Sequence, residues 1–179
     1  MDKNITYFNK RGFISETLES ILKQTYKNFE LVLVYDDGNK KDLKFIKNFL
    51  KKFKKKKLIV NNKNLGVALS RNIAINYCKG KFLAFIDADD LWLKNKLKIQ
   101  LNLMLKGRHV FSYSSYNVIG SNGKFLATRH VSKDINYLKL IKSCEIGLST
   151  VMIQKKLFKQ LRFPNLKTQE DFALWLKLL

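Results

Sequence analysis

Cysteine and proline are nearly missing from this chain of 179 residues, with two of the first and one of the second. Cys78 and Cys144 lie far apart without Cys-x-x-Cys spacing. That excludes a disulfide framework and a cysteine zinc site, and it fits a reducing compartment. Pro164 stands alone, and no low-complexity linker, composition break or internal repeat divides the chain. One domain with a sizeable core is expected. The two histidines, His109 and His130, lack metal-ligand spacing. No apolar run approaches the roughly 18 residues of a membrane-spanning helix. Met1-Asp2-Lys3-Asn4 leads into no long apolar segment of the kind a signal peptide needs. The expectation is a cytoplasmic protein, held at most peripherally at the inner face of a membrane.

Acidic residues are scarce as well, 14 against 35 Lys and Arg, which gives a net charge of +21. One reading is a polyanion partner, either nucleic acid or an anionic membrane surface. The plainer one is lysine-rich codon usage, because Asn and Ile are abundant too. Most lysines are spread over predicted helix faces. The run Lys51-Lys52-Phe53-Lys54-Lys55-Lys56-Lys57 reads as the solvated end of a helix. No zinc-finger, RRM or helix-turn-helix pattern is present, so nucleic acid is not the expected partner. Peripheral contact with an anionic membrane stays open. The 46% hydrophobic content is that of a globular protein.

Against this background one feature stands out. The apolar run Lys81-Phe82-Leu83-Ala84-Phe85-Ile86 ends in Asp87-Ala88-Asp89, with Asp90 next. In a strand, residues i and i+2 project to the same side. Two carboxylates so placed repel unless a cation lies between them or one is protonated. Mg²⁺ or Mn²⁺, completed by substrate phosphates, is the usual remedy.

Strand-like and helix-like segments alternate along the first half. Strands are expected at residues 5–8, 31–35, 58–60 and 81–86, and helices at 13–24, 43–53 and 67–78. Continuous apolar strands alternating with amphipathic helices specify a mostly parallel central sheet covered on both faces, a Rossmann-like α/β fold. Right-handed crossovers put the strand ends on one rim, which gathers Asn9, Asp36, Asp37 and Asp87. The second half changes character. A helix over 94–105 is followed by strands at 110–116 and 124–128, joined around Gly120-Ser121-Asn122-Gly123. A strand at 150–153, a short helix at 155–161 and a last helix capped by Thr168 complete it. Trp92 and Trp175 read as packing residues, with Trp92 near enough to the acidic strand end to shape it.

Together these residues resemble the inverting family 2 glycosyltransferases of the GT-A fold, of the type that builds bacterial surface glycans. The likeness covers nearly the whole chain: Thr6-Tyr7-Phe8-Asn9-Lys10-Arg11 at the first strand end, the first-helix segment Phe13 to Tyr26, Asp36-Asp37-Gly38, Asn64-Leu65-Gly66-Val67-Ala68-Leu69-Ser70-Arg71-Asn72, Asp87-Ala88-Asp89 as the DXD motif and Glu170-Asp171 as the ED motif. It implies one domain, with residues 1–105 holding a nucleotide-sugar donor and 106–179 forming a small mixed acceptor-side region. It implies transfer to an acceptor hydroxyl on a glycan or lipid-linked saccharide, with a UDP-sugar as donor and Mn²⁺ or Mg²⁺ as cofactor. Asp89 would hold the metal. Asp87, Asp36, Asn9, Gly66 and Arg71 would serve the donor, Arg71 through phosphate or base-edge contacts. Asp171 would be the general base, its ionised form favoured by a helix N-terminus. Glu170 is the lesser candidate. The family has apolar residues where Asp2, Lys3 and Asn4 stand, so a short first strand and a chain truncated at both ends are expected. No Gln-x-x-Arg-Trp motif is present, which points to single addition and not to a processive synthase. Two other classes stay open. A nucleotidyltransferase would need a Gly-rich strand–helix loop near the N-terminus and would leave Glu170-Asp171 unexplained. A non-catalytic relative or a basic polyanion binder would need neither.

Overall fold

Four parallel strands, β1 (Asp2–Tyr7), β2 (Glu30–Tyr35), β3 (Lys56–Val60) and β4 (Phe82–Phe85), form the centre of the computed structural model, which describes residues 1–179. Burial alternates along them. Leu31, Leu33 and Tyr35 of β2 join one core, and Val32 and Val34 join the other. Phe82 and Ala84 divide from Leu83 and Phe85 in the same way. Both faces are covered, as unbroken apolar strands require. Helices α1 (Ile14–Leu22), α2 (Leu43–Leu50) and α4 (Lys96–Lys106) close the first core. Helix α3 (Val67–Tyr77) closes the second, with α5 (Tyr137–Lys142) and α6 (Glu170–Leu176).

The sheet is completed by β5 (Phe111–Ser112) and β8 (Met152–Gln154) in the order β3-β2-β1-β4-β8-β5, with β8 antiparallel to both neighbours. Strands β6 (Tyr116–Ile119) and β7 (Phe125–Arg129) pair as a separate hairpin. The single strand expected at 110–116 is therefore two, because the chain leaves the sheet after Ser112 and pairs locally. Helix α5 was not expected from the sequence, and the helix expected at 155–161 is a 3₁₀ segment, Lys155–Lys159. No helix is long and apolar enough to cross a membrane.

The first strand is not short. Asp2, Lys3 and Asn4 lie in β1 and are buried at 3%, 0% and 2% exposure. Two of the three are hydrogen-bonded. The Asp2 carboxylate accepts from the backbone N–H groups of Lys79 and Gly80, the latter at 2.6 Å. Asn4 Nδ2 donates to the Arg71 carbonyl at 3.1 Å. Lys3 Nζ has no hydrogen-bond partner and lies over the Phe29 ring, 2.9 Å from its centroid.

Candidate active site

The strand order 3-2-1-4 reverses direction between β1 and β4, and in an open α/β sheet the crevice at such a switch is where ligands bind. The acidic strand end lies at this crevice. After β4 the chain delivers Asp87, Asp89 and Asp90; after β1 it delivers Asn9 and Lys10. Lys10 Nζ bridges the crevice to Asp89 Oδ2 at 2.7 Å, both side chains being about half exposed. Asn9 is exposed beside it with φ +46°, a left-handed conformation that asparagine tolerates.

The other acids are fixed differently. The Asp87 N–H donates to Ser149 Oγ at 3.0 Å, and the Ser149 hydroxyl donates in turn to Asp90. The Ser149 carbonyl accepts from Trp92 Nε1 at 2.7 Å, so Trp92 locks this corner as well as packing beneath it. Burial pushes the Asp90 carboxyl above its usual range, the Ser149 bond opposes this, and the charges of Asp87 and Asp89 add to it. Asp87, Asp89 and Asp90 do not converge as three ligands on one point: they are turned to Arg71, Lys10 and Ser149 respectively.

Arg71 ties the two halves of the chain together. It lies on α3 with 5% exposure. Its guanidinium donates to Asp87 Oδ1 at 2.7 Å and to Glu170 Oε1. Glu170 opens α6 and is itself buried, at 6% exposure. The sequence reading put Arg71 toward the donor. In the folded chain its two terminal nitrogens each meet a different carboxylate, so the planar guanidinium bridges Asp87 and Glu170.

Asp171 stands next to Glu170, half-buried. Burial raises its carboxyl above the usual range; the Phe172 N–H and Arg71 pull it down, while Glu170 and Asp87 push it up. The expected lowering by the helix N-terminus is thus outweighed by desolvation. The cap differs too: Gln169, at φ +60°, precedes the helix, and Thr168 does not cap it.

Asp36 is held by its own chain. Oδ1 accepts from Asn61 Nδ2 at 2.7 Å and Leu65 N at 2.8 Å, and Oδ2 accepts from Gly66 N at 2.9 Å. Gly66, at φ +88°, makes the turn into α3 that a side chain would strain. The neighbouring Asp37 is less buried than Asp36 and uses Oδ1 for the Asn39 N–H at 2.9 Å. On the rim, Asp37 is the more accessible acid. Asp90, next to the acidic pair in sequence, completes the crevice with Lys10 and Ser149, and the contacts of these residues were not foreseen from sequence. Their partners lie 59–79 residues away, so no local pattern marks them.

A Rossmann-like sheet with acids at its switch crevice and a mixed region folded against it is the GT-A architecture. The glycosyl transferase family 2 profile matches residues 5–166. The chain is 39% identical to the UDP-Glc:alpha-D-GlcNAc-diphosphoundecaprenol beta-1,3-glucosyltransferase WfgD of Escherichia coli, over 96% of this chain and 66% of that protein. It is 31% identical to the putative teichuronic acid biosynthesis glycosyltransferase TuaG of Bacillus subtilis, over 96% and 69%. Its fold superimposes on S. aureus TarS 1-349 in complex with UDP with a TM-score of 0.80 at 24% identity, over 97% of this chain and 53% of that one. The chain belongs to glycosyl transferase family 2. It spans about two thirds of the length of the first of these relatives and about half of TarS 1-349.

Proposed function

We propose that this domain is a metal-dependent inverting glycosyltransferase that takes a UDP-sugar as donor and adds one sugar to a hydroxyl of a lipid-linked saccharide during surface-glycan synthesis. The carrying observation is the gathering of Asp87, Asp89 and Asp90 from one half of the chain with Glu170 and Asp171 from the other, joined through Arg71. The relatives' names support the donor and acceptor classes. Residues 1–105 would hold the donor and residues 106–179 the acceptor. The setting would be cytoplasmic.

The donor chemistry of the acidic corner suits a divalent cation, and Asp87, Asp89 and Asp90 would have to turn from their present partners to share one. Its donors are hard carboxylate oxygens, and Asp89 already draws a cationic side chain. Asp89 would hold the metal once Lys10 swings to solvent. The bound ion would neutralise the donor diphosphate and ease departure of the nucleotide. Asp87, oriented by Arg71 and Ser149, would accept from the donor ribose or assist Asp89. Asn9 and Gly66 would flank the donor, with Asp36 shaping the loop that carries Gly66. Asp171 would accept the acceptor's proton as the hydroxyl attacks the anomeric carbon from the face opposite the leaving group. Glu170, tied to Arg71, positions the start of that helix.

Two outcomes test this reading. Calorimetry should show UDP binding that requires Mn²⁺ or Mg²⁺ and is lost in Asp89→Asn; absence of UDP binding under every metal condition would favour a non-catalytic relative. The acid limb of kcat/KM should lie above the roughly pH 4 of an ordinary aspartate. The sign follows from the base being active only when ionised, so activity falls as pH drops through its raised pKa. A limb at or below pH 4 would remove Asp171 from the role.

A further inference from the structure

The ion pair between Lys10 and Asp89 stands on a rigid base. The Lys10 carbonyl accepts from the N–H groups of Phe13 and Ile14, both at 3.0 Å, so its backbone is tied to the start of α1. From the same helix, buried Thr17 donates its hydroxyl to the Ala88 carbonyl at 3.0 Å, one residue before Asp89. One helix therefore fixes the backbone at both ends of the pair. Arg11, the next basic residue, is engaged elsewhere: it pairs with Asp42 at 3.4 Å and lies over the Phe45 ring. The three acids of the corner also differ in what holds them. Asp87 has Arg71 and Asp90 has Ser149, while Lys10 is the one partner of the Asp89 carboxylate.

The ammonium thus stands where the acidic corner calls for a cation. Contact with Asp89 holds it above the usual lysine range, and the charges of Asp87 and Asp90 add to this, so it is a full positive charge at neutral pH. It is also replaceable. Both side chains are about half exposed, and such a pair is weak. Lysine carries a point charge on a flexible stem with three rotatable donors. A divalent cation arriving alone would send that charge to water and then be repelled by it. Arriving with a nucleotide diphosphate, the same cation would leave the ammonium a new anionic partner. The fixed Lys10 backbone keeps the charge within a side-chain length of Asp89 and of phosphates gathered there. The pair therefore opposes the metal alone more than the metal with its nucleotide, and such coupling is reciprocal between the two ligands.

We infer that Lys10 is a tethered counter-ion: it fills the cation position on Asp89 while the donor is absent and passes to the donor diphosphate when the metal takes that position, so that metal and nucleotide bind together. The inference rests on the metal-dependent reading proposed above and adds the residue that couples the two ligands. Two titrations test it. One is Mn²⁺ binding without UDP, followed by electron paramagnetic resonance of the free ion; the other is UDP calorimetry with and without Mn²⁺. Lys10→Met should bind Mn²⁺ alone about tenfold tighter than the wild type, because it loses both the pair that must be broken and the repulsion of a nearby ammonium. The factor by which Mn²⁺ tightens UDP binding should fall by about threefold or more in the same variant. Lys10→Arg, which keeps the charge, should stay within about twofold of the wild type in both titrations. So should Lys23→Met, which removes the same charge from an exposed site at the other end of α1. The gain for Mn²⁺ should vanish in Lys10→Met/Asp89→Asn. Far-UV circular dichroism on the same samples confirms the fold. Unchanged Mn²⁺ affinity in Lys10→Met, a gain that survives Asp89→Asn, an equal gain in Lys23→Met, or weaker UDP binding with no gain for the metal would each overturn the inference, and UDP-supported Mn²⁺ binding by the wild type would still leave the metal-dependent reading standing. No Mn²⁺ binding by any of these proteins, even with UDP present, would overturn both.

Discussion

Lys3→Met should stabilise the chain by about 3 kcal/mol at pH 7 and flatten its pH dependence. Lys3 lies in the central strand with no exposure and no hydrogen-bond partner. Burial lowers its ammonium to about 5, with Lys96 and Lys27 adding repulsion. Lys96 Nζ, also without a partner, is itself lowered to about 7 by burial and faces the same Trp92 ring. One pKa unit corresponds to about 1.4 kcal/mol. At pH 7 the unfolded chain keeps Lys3 protonated while the folded chain releases that proton, which sets a ceiling of about 5 kcal/mol on the penalty. Contact with the Phe29 ring and local relaxation reduce it. Methionine has similar length and volume and no charge to lose.

The sign is explicit. Between about pH 5 and 10.5 the unfolded state binds more protons at Lys3 than the folded state, so stability rises with pH across that window. Wild-type midpoints in urea should climb from pH 6 to pH 9, and those of Lys3→Met should climb much less, the remainder belonging to Lys96. Equal midpoints for the two proteins at pH 7 would show that the folded state keeps Lys3 charged in contact with water.

The sequence announces the sheet wherever burial on both faces needs an unbroken apolar run, as in Leu31-Val32-Leu33-Val34-Tyr35. It misleads at β1 because the partners that make polar residues tolerable there, Lys79, Gly80 and Arg71, are supplied by distant segments. The rim residues Asn9, Asp36, Asp37 and Asp87 were legible because strand ends of a parallel sheet share one edge. What they touch was not. Lys10 meets Asp89, and Ser149 joins Asp87 to Asp90, only after β1, β4 and β8 pair. Asp171 shows the same limit. The helix N-terminus is a local feature and argues for a lowered pKa, whereas the burial that raises it comes from tertiary packing.

Arg71→Met should cost about 3–5 kcal/mol, because it strands the Glu170 carboxylate in a buried site. The double variant Arg71→Met/Glu170→Met removes both charges and should recover most of that loss, since a buried pair is often replaceable by apolar residues of similar volume. Function should not recover with it. Asp87 would keep its N–H bond to Ser149 but lose the guanidinium at 2.7 Å that fixes its carboxylate, so metal-supported UDP binding should stay weakened at least tenfold. Unfolding midpoints for the four members of the cycle give the coupling energy, and calorimetry on the same four proteins gives donor binding. A double variant as unstable as Arg71→Met would mean that the two side chains do not act as a pair. A double variant that binds UDP like the wild type would mean that Arg71 serves the fold alone. The expected split, stability restored and binding lost, follows from one guanidinium holding a carboxylate that the core must neutralise and another that the crevice must aim.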